Sequence, residues 1–192
     1  MKKLILSLSI LGLLLSSTCS AQDMKAMDVY KHMIKVLGGE WSLSSVEKQT
    51  GTSSYKNPAI SHLAGTKENA IAYRVIGRGA TLQEDLLTNT KKEMVTMYHC
   101  DNFFDCKKLK ATHYCAKRNQ PQFLLNTKET TKTKIVFDCD MSTQLCNSNQ
   151  DHVHKIIHQL SQNGTHLKSS YLGWKNQTPN KKNSIYHFDK KL

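Results

Sequence analysis

Beyond residues 4–15 the sequence holds no long apolar run, so nothing in the rest of the chain reads as a helix that spans a bilayer. It has no internal repeat, no linker and no low-complexity tract, which points to one domain. No nucleophile elbow or oxyanion-hole motif is present, so acyl-transfer chemistry lacks its usual sequence marks. The cysteines do not have zinc-ribbon spacing, which argues against a structural zinc site of four thiolates. No basic helix occurs, nor any interleaving of basic with aromatic residues, so a specific nucleic-acid module is not expected.

The first residues read as a secretory leader. Lys2 and Lys3 precede the apolar run, and Cys19-Ser20-Ala21 offers small residues for cleavage before Gln22. A signal peptide over 1–21 leaves a single domain over 22–192, 171 residues long, expected to be secreted or periplasmic and soluble. A lipoprotein would acylate Cys19, but Ser16-Ser17-Thr18 fits that pattern poorly. Losing Lys2 and Lys3 leaves 25 basic against 15 acidic residues, a net charge of +10. Such a balance favours anionic partners, yet the lysines are scattered (Lys107, Lys108, Lys128, Lys132, Lys181, Lys182) and read as a solvated surface.

Five cysteines remain after the leader: Cys100, Cys106, Cys115, Cys139 and Cys146. Export permits disulfides. The close pairs suggest Cys100–Cys106 and Cys139–Cys146 with Cys115 left over, although spacing alone does not fix connectivity.

Met24, Met27, Tyr30, Met33, Ile34 and Leu37 recur at helical spacing, and Gly38-Gly39 ends the pattern, so a short helix is expected over 23–37. The rest reads as β, with strands near 40–47, 70–77, 80–87, 93–100, 106–115, 122–127, 134–140, 152–161, 166–175 and 184–190 and a long polar loop over 48–68. Short turns join most of them. The fold class is therefore all-β, an up-and-down antiparallel barrel or a sandwich, with a helix able to plug one end.

The stretch 93–121 gives a register if Cys100 faces Cys106 across an antiparallel pair. Met97 then lies opposite Leu109, Val95 opposite Ala111 and Glu93 opposite His113. One face carries Val95, Met97, His99, Leu109, Ala111, His113 and Cys115; the wet face carries Thr96, Tyr98, Lys108, Lys110 and Thr112. Along 151–160, alternation with Lys155 in water sends His152, His154, Ile156 and His158 inward. A meander then gathers Glu84, Glu93, His113, Cys115, His152 and His154 at one end, called the top, and leaves Trp41 and His99 at the bottom. His99 lies six residue levels from His113, ~20 Å, too far to share a metal ion.

Two histidines two apart on a strand suit one divalent metal or a haem iron, with His113 or Cys115 as a third ligand. The plainer reading is a buried polar network satisfied by neighbours such as Glu84, Glu93 or Asn119. Cys115 beside a histidine is a candidate nucleophile pair, and otherwise an inert buried thiol. No complete catalytic set is visible, so an enzyme is the weaker expectation.

Gly39-Glu40-Trp41, opening the first strand after a short helix, resembles the G-x-W signature of calycins, the lipocalins, fatty-acid-binding proteins and nitrobindins. An ordered set of pieces is similar to a family of uncharacterised bacterial lipocalin-like barrels. These are Ala72-Tyr73-Arg74-Val75, Gly79 to Glu84, Met94 to His99, Thr112-His113-Tyr114-Cys115, Asn119-Gln120-Pro121, Val136-Phe137, His152-Val153-His154 and Gly173-Trp174. The resemblance spans about residues 25–190 and implies a closed calycin-like barrel of about ten strands with one short N-terminal helix and an internal cavity. It implies no established activity, and the haem-ligand motif of nitrobindins has no counterpart here.

The leading expectation is a barrel holding a small apolar or amphipathic ligand, as monomer or homodimer. Val95, Met97, Leu109, Ala111, Phe137 and Ile156 would form the apolar wall; Glu84, Glu93, His113, Cys115, Asn119, His152 and His154 would line the polar top. A metal or haem site on His152, His154 and His113 is the alternative. A basic interaction protein with a purely structural core is a third reading.

Overall fold

The structure, a computed structural model, describes residues 24–45, 50–51 and 58–191. The expected leader over 1–21 and parts of the loop expected over 48–68 lie outside the described residues. Among the described residues no helix is long and apolar enough to cross a membrane.

One α-helix, α1 (Ala26–Leu37), opens the described chain and buries Ala26, Val29, Tyr30, Met33 and Leu37. These positions recur every three to four residues and so form one apolar stripe. Gly38 stops the helix, its N–H reaching the Ile34 carbonyl. Gly39 then turns the chain at φ +106°, a conformation that residues with a side chain rarely adopt.

The strands are β1 (Gly39–Leu43), β2 (Thr50–Gly51), β3 (Ile71–Ile76), β4 (Thr81–Leu86), β5 (Met94–Cys100) and β6 (Leu109–Tyr114). They continue with β7 (Gln122–Leu125), β8 (Lys134–Cys139), β9 (His152–Leu160), β10 (His166–Lys175), β11 (Thr178–Pro179) and β12 (Ser184–Lys190). The spatial order is β11-β10-β9-β8-β7-β6-β5-β4-β3-β1-β12-β2, and β10 also pairs with β12. That last pairing closes the sheet. Setting aside the two-residue flanking strands β2 and β11, the result is a closed antiparallel barrel of ten strands. Its strands fall where hydrophobic patterning and turn residues place them in the sequence.

Helix α1 plugs the bottom. Tyr30 donates to the Gly79 carbonyl at 2.9 Å, and His32 Nε2 to the Lys132 carbonyl at 2.7 Å. Trp41, fully buried, donates to the Leu37 carbonyl at 2.8 Å. Lys190 Nζ sits 5.1 Å from the Trp41 ring centroid, a cation–π contact at the same end. The turns after β4, β6, β8 and β10 gather at the top.

Both expected disulfides are present, Cys100–Cys106 and Cys139–Cys146, and Cys115 is a free thiol. Thiol counting on the unreduced, leader-free protein should find one thiol; two or more would contradict the pairing. Replacing Cys139 and Cys146 together by serine should lower stability by roughly 2–3 kcal/mol, the chain-entropy value for so short a loop.

Cys100 and Cys106 do not face each other across two strands. Asp101 pairs with Lys108 through a backbone bond of 2.9 Å, and the Asp101 carboxylate accepts from the N–H groups of Asn102, Lys107 and Lys108. Cys106 therefore lies inside the loop between the strands, and Cys100 is opposite Leu109. The register differs by three residues from the one the cysteines suggest, so Thr96 faces His113 and Tyr98 faces Ala111. An odd shift reverses every side chain on β5. Met94, Thr96 and Tyr98 point into the barrel, while Val95, Met97 and His99 lie half-buried on its outer side. The shift also leaves His99 and His113 three residue levels apart, not six, and on opposite faces.

A second departure is on β9. Lys155 pairs with Leu172, but Val153 pairs with Gly173, so His154 is an extra residue in a β-bulge. Ile156 and His158 face inward as expected. The bulge turns Val153 inward in place of His154, and leaves His152 and His154 on the outer side with Trp174.

Candidate functional site

The inward side chains of six strands meet around one carboxylate. Glu84, fully buried on β4, accepts hydrogen bonds at both oxygens. Oε1 takes the hydroxyls of Thr96 at 3.0 Å and Tyr171 at 2.7 Å. Oε2 takes the hydroxyl of Tyr98 at 2.8 Å and faces His158 Nε2 at 3.3 Å. Tyr98 spends its proton on Glu84, so its oxygen accepts from His158 Nε2–H at 2.8 Å. The other nitrogen of His158 meets Ser169 Oγ at 2.9 Å and the Tyr73 hydroxyl at 3.4 Å. A buried carboxylate is tolerated when its lone pairs are filled in this way.

Burial pushes the Glu84 carboxyl up, but the hydrogen bond and charge of His158, the Tyr171 hydroxyl and the charge of His113 outweigh it. The net value is about 2. Burial, then the Glu84 charge, hold the hydroxyls of Tyr73, Tyr98 and Tyr171 well above the ordinary tyrosine range. His113, on β6, is fully buried with its ring stacked on Tyr171, centroids 5.6 Å apart. Its Nδ1 lies 2.9 Å from Thr96 Oγ1. Burial lowers its imidazole to about 4 against the opposing pull of Glu84, so it is neutral at pH 7.

At the top a pocket of about 340 Å³ opens to solvent. Met94, Val153, Tyr171 and Tyr186 make its apolar wall, with Cys115 and Gly173 beside them. Lys92, Lys117, Lys182, Asp151, Asn180 and Asn183 form a polar rim. Lys117 and Asp151 are paired at 2.5 Å, and Asn180 also donates to Asp151 at 3.0 Å. Tyr171 joins the two levels: its ring lines the pocket and its hydroxyl is bound to Glu84 below. Burial raises the Cys115 thiol above its ordinary value, with nearby Lys117 pulling the other way, which makes it a poor nucleophile at neutral pH.

The residues singled out in the sequence are dispersed around this site. Glu84 and His113 are at its centre. Cys115 lines the pocket, and Ala111, Leu109, Phe137 and Ile156 are packed into the core below it. Asn119 holds the rim by donating to the Asp151 carbonyl at 2.9 Å. Glu93 is exposed and caps the preceding turn through the Asn89 N–H at 2.8 Å. Val95 and Met97 are outside, for the register reason above. His154 stacks on Trp174 at 3.9 Å outside the barrel and bonds His152 at 2.9 Å. Burial and the neighbouring His152 hold the His154 imidazole below its ordinary range.

His152 is buried beside the Cys139–Cys146 disulfide and bonds the Gln150 carbonyl. His113 is on the opposite side of the wall from His154, so the three histidines do not converge on one metal ion. Among the described residues the one cluster of metal-ligand types is Cys139, Cys146 and His152, and its two sulfurs are bonded to each other.

The pattern missed Thr96, Tyr98, His158, Ser169 and Tyr171 as members of the network. Thr96 and Tyr98 carried a signal, two polar residues alternating with Val95 and Met97 on β5, but alternation alone does not say which set is inside.

Fold and site together define a closed ten-stranded antiparallel barrel, plugged by a helix at one end and open at the other above a buried carboxylate–histidine–tyrosine network. Comparison with protein-family models and with curated proteins returns no match for this chain.

Proposed function

We propose that this is a calycin-like binding protein that holds a small, partly apolar molecule at the open end of the barrel, in the periplasm or outside the cell. The observation that carries this reading is the pocket above Tyr171 and Tyr186. Its volume of about 340 Å³ and an apolar wall beneath a polar rim match what small-molecule sites share. The lower barrel is packed with its own side chains, so the ligand sits at the mouth and not along the axis. Two disulfides suit an oxidising compartment.

Native mass spectrometry and solvent extraction of the purified protein test the reading. A co-purifying small molecule, or uptake of a naphthalene-type fluorescent probe, is the expected result. Val153→Trp, which fills the pocket from β9, should abolish uptake while the far-ultraviolet circular dichroism stays unchanged. His154→Ala, outside the wall, should leave uptake intact. Uptake that survives Val153→Trp would place the ligand elsewhere.

A further inference from the structure

The pocket at the mouth of the barrel carries more positive than negative charge. Lys92, Lys117 and Lys182 stand around it against one carboxylate, Asp151. That carboxylate is already engaged, accepting from Lys117 Nζ at 2.5 Å and from Asn180 at 3.0 Å. Glu93, next in sequence to Lys92, is turned to the Asn89 N–H and lines a different surface cleft. Among the described residues neither Lys92 nor Lys182 has a carboxylate partner. Lys92 is also half-buried, and it shares the pocket with Met94, two residues further along. Burial lowers its ammonium below the ordinary lysine range, and no carboxylate draws it back. An ammonium taken partly out of water without a counter-charge carries a cost that an arriving anion offsets.

The charge beneath the pocket fixes which way round such an anion lies. Glu84 is ionised below Tyr171, whose ring lines the pocket and whose hydroxyl is bound to that carboxylate. A second negative charge pressed down onto Tyr171 would be repelled across a medium of low dielectric constant. The rim lysines attract it, while Met94, Val153, Tyr171 and Tyr186 receive the rest of the molecule. Resting on the pocket as the binding site, we infer that its ligand is a small organic acid, a carboxylate held at the rim by Lys92 and Lys182 with its apolar body inward. Lysines are compact point charges and impose little geometry on the anion. Selection among acids therefore falls to the body that fits within about 340 Å³.

Three probes of similar shape separate the possibilities: naphthoate, an anion; its neutral methyl ester; and naphthylmethylammonium, a cation. Calorimetric titration of the unaltered protein at neutral pH and low salt should find naphthoate bound roughly three- to tenfold more tightly than the ester, the worth of two partly exposed ion pairs. The preference should narrow as salt is raised, because rim charges are screened. Lys92→Met with Lys182→Met keeps most of each stem and removes both ammonium groups; it should erase the preference while ester binding persists. Lys107→Met and Lys108→Met together, in the loop after β5 at the other end of the barrel, make the same change in net charge and should leave the preference intact. Equal or weaker binding of naphthoate than of the ester, tightest binding of the cation, or a preference that survives the loss of Lys92 and Lys182 overturns the inference and leaves the pocket standing. So does a preference lost equally on replacing Lys107 and Lys108. Binding of none of the three removes the pocket reading and this one with it. The ester comparison and its salt dependence use the unaltered protein, so they decide the matter even should the doubly substituted chain fail to fold.

Discussion

Glu84→Gln is expected to destabilise the barrel by about 3–5 kcal/mol, the range seen when one partner of a buried charged network is removed. Glutamine keeps the shape of the side chain but offers one acceptor oxygen in place of two. Its NH₂ must face either the hydroxyls of Thr96 and Tyr171 or the hydroxyl of Tyr98 with His158 Nε2 beside it. At least one hydroxyl donor then loses its acceptor and meets an N–H group in a dry interior, and each unmet group costs about 1–3 kcal/mol. Urea unfolding at neutral pH measures the loss. Asp85→Asn is the control. Asp85 is next in sequence but faces outward to Arg74, whose side chain is 63 % exposed, and surface pairs of this kind contribute about 0–1 kcal/mol. A loss for Glu84→Gln no larger than that for Asp85→Asn would mean the donors are not organised around the carboxylate.

Acidification should unfold the protein in two stages. His113 has a folded value of about 4, below the roughly 6.5 of a free imidazole. The unfolded chain takes up that proton first, so its contribution is complete above about pH 6.5 and lost as the pH falls towards 4. Glu84 has a folded value of about 2, below the ordinary carboxylate value near 4.3. Its contribution is complete above about pH 4.3 and lost as the pH falls towards 2. Each shift corresponds to on the order of 3 kcal/mol. Unfolding midpoints measured from about pH 8 to 3 should therefore begin to drop near 6.5, earlier than carboxylates alone would cause. In His113→Phe the upper stage should shrink to the smaller contribution of His154, whose imidazole is also held below its ordinary range, and the lower stage remain. A wild-type midpoint that is flat down to about pH 4.5 would contradict the first stage.

Much of the barrel was legible in the sequence because each strand carries its own marks. The run Ile71–Ile76, the turn Gly77-Arg78-Gly79 and the run Thr81–Leu86 are local signals, and the structure reproduces them. What was not legible is facing. On β5 it depended on where the loop after Cys100 ends, and Asp101, binding three backbone N–H groups, moved that point by three residues. On β9 it depended on one bulged residue, His154, which nothing in the spacing of Asp151 to His158 announces. Both are single local events, yet each reverses a set of side chains, since the strand repeat is two. The site suffered most. Glu84 and His113 stood out as polar residues in otherwise apolar strands, but the Glu84 partners Tyr98, Tyr171 and His158 are 14, 87 and 74 residues from it along the chain. Only the closed sheet brings them together.

That closure also sets the order of events during folding. Strand β12 is the seam: Leu43 and Phe188 pair on one side of it, Leu167 and Phe188 on the other. Neighbouring strands elsewhere can zip as hairpins, but β1 must wait for a partner nearly 150 residues away, as in the pairing of Trp41 with Lys190. Contacts of such long range make folding slow, because loop closure precedes any reward from packing. Until β12 docks, β1 and β10 are two open edges able to pair with another chain. A chain is synthesised from its N-terminus, so this hazard lasts until β12 has been made and has docked. The contact of the Lys190 cation with Trp41 joins β12 to β1 and so can form only once that seam is closed.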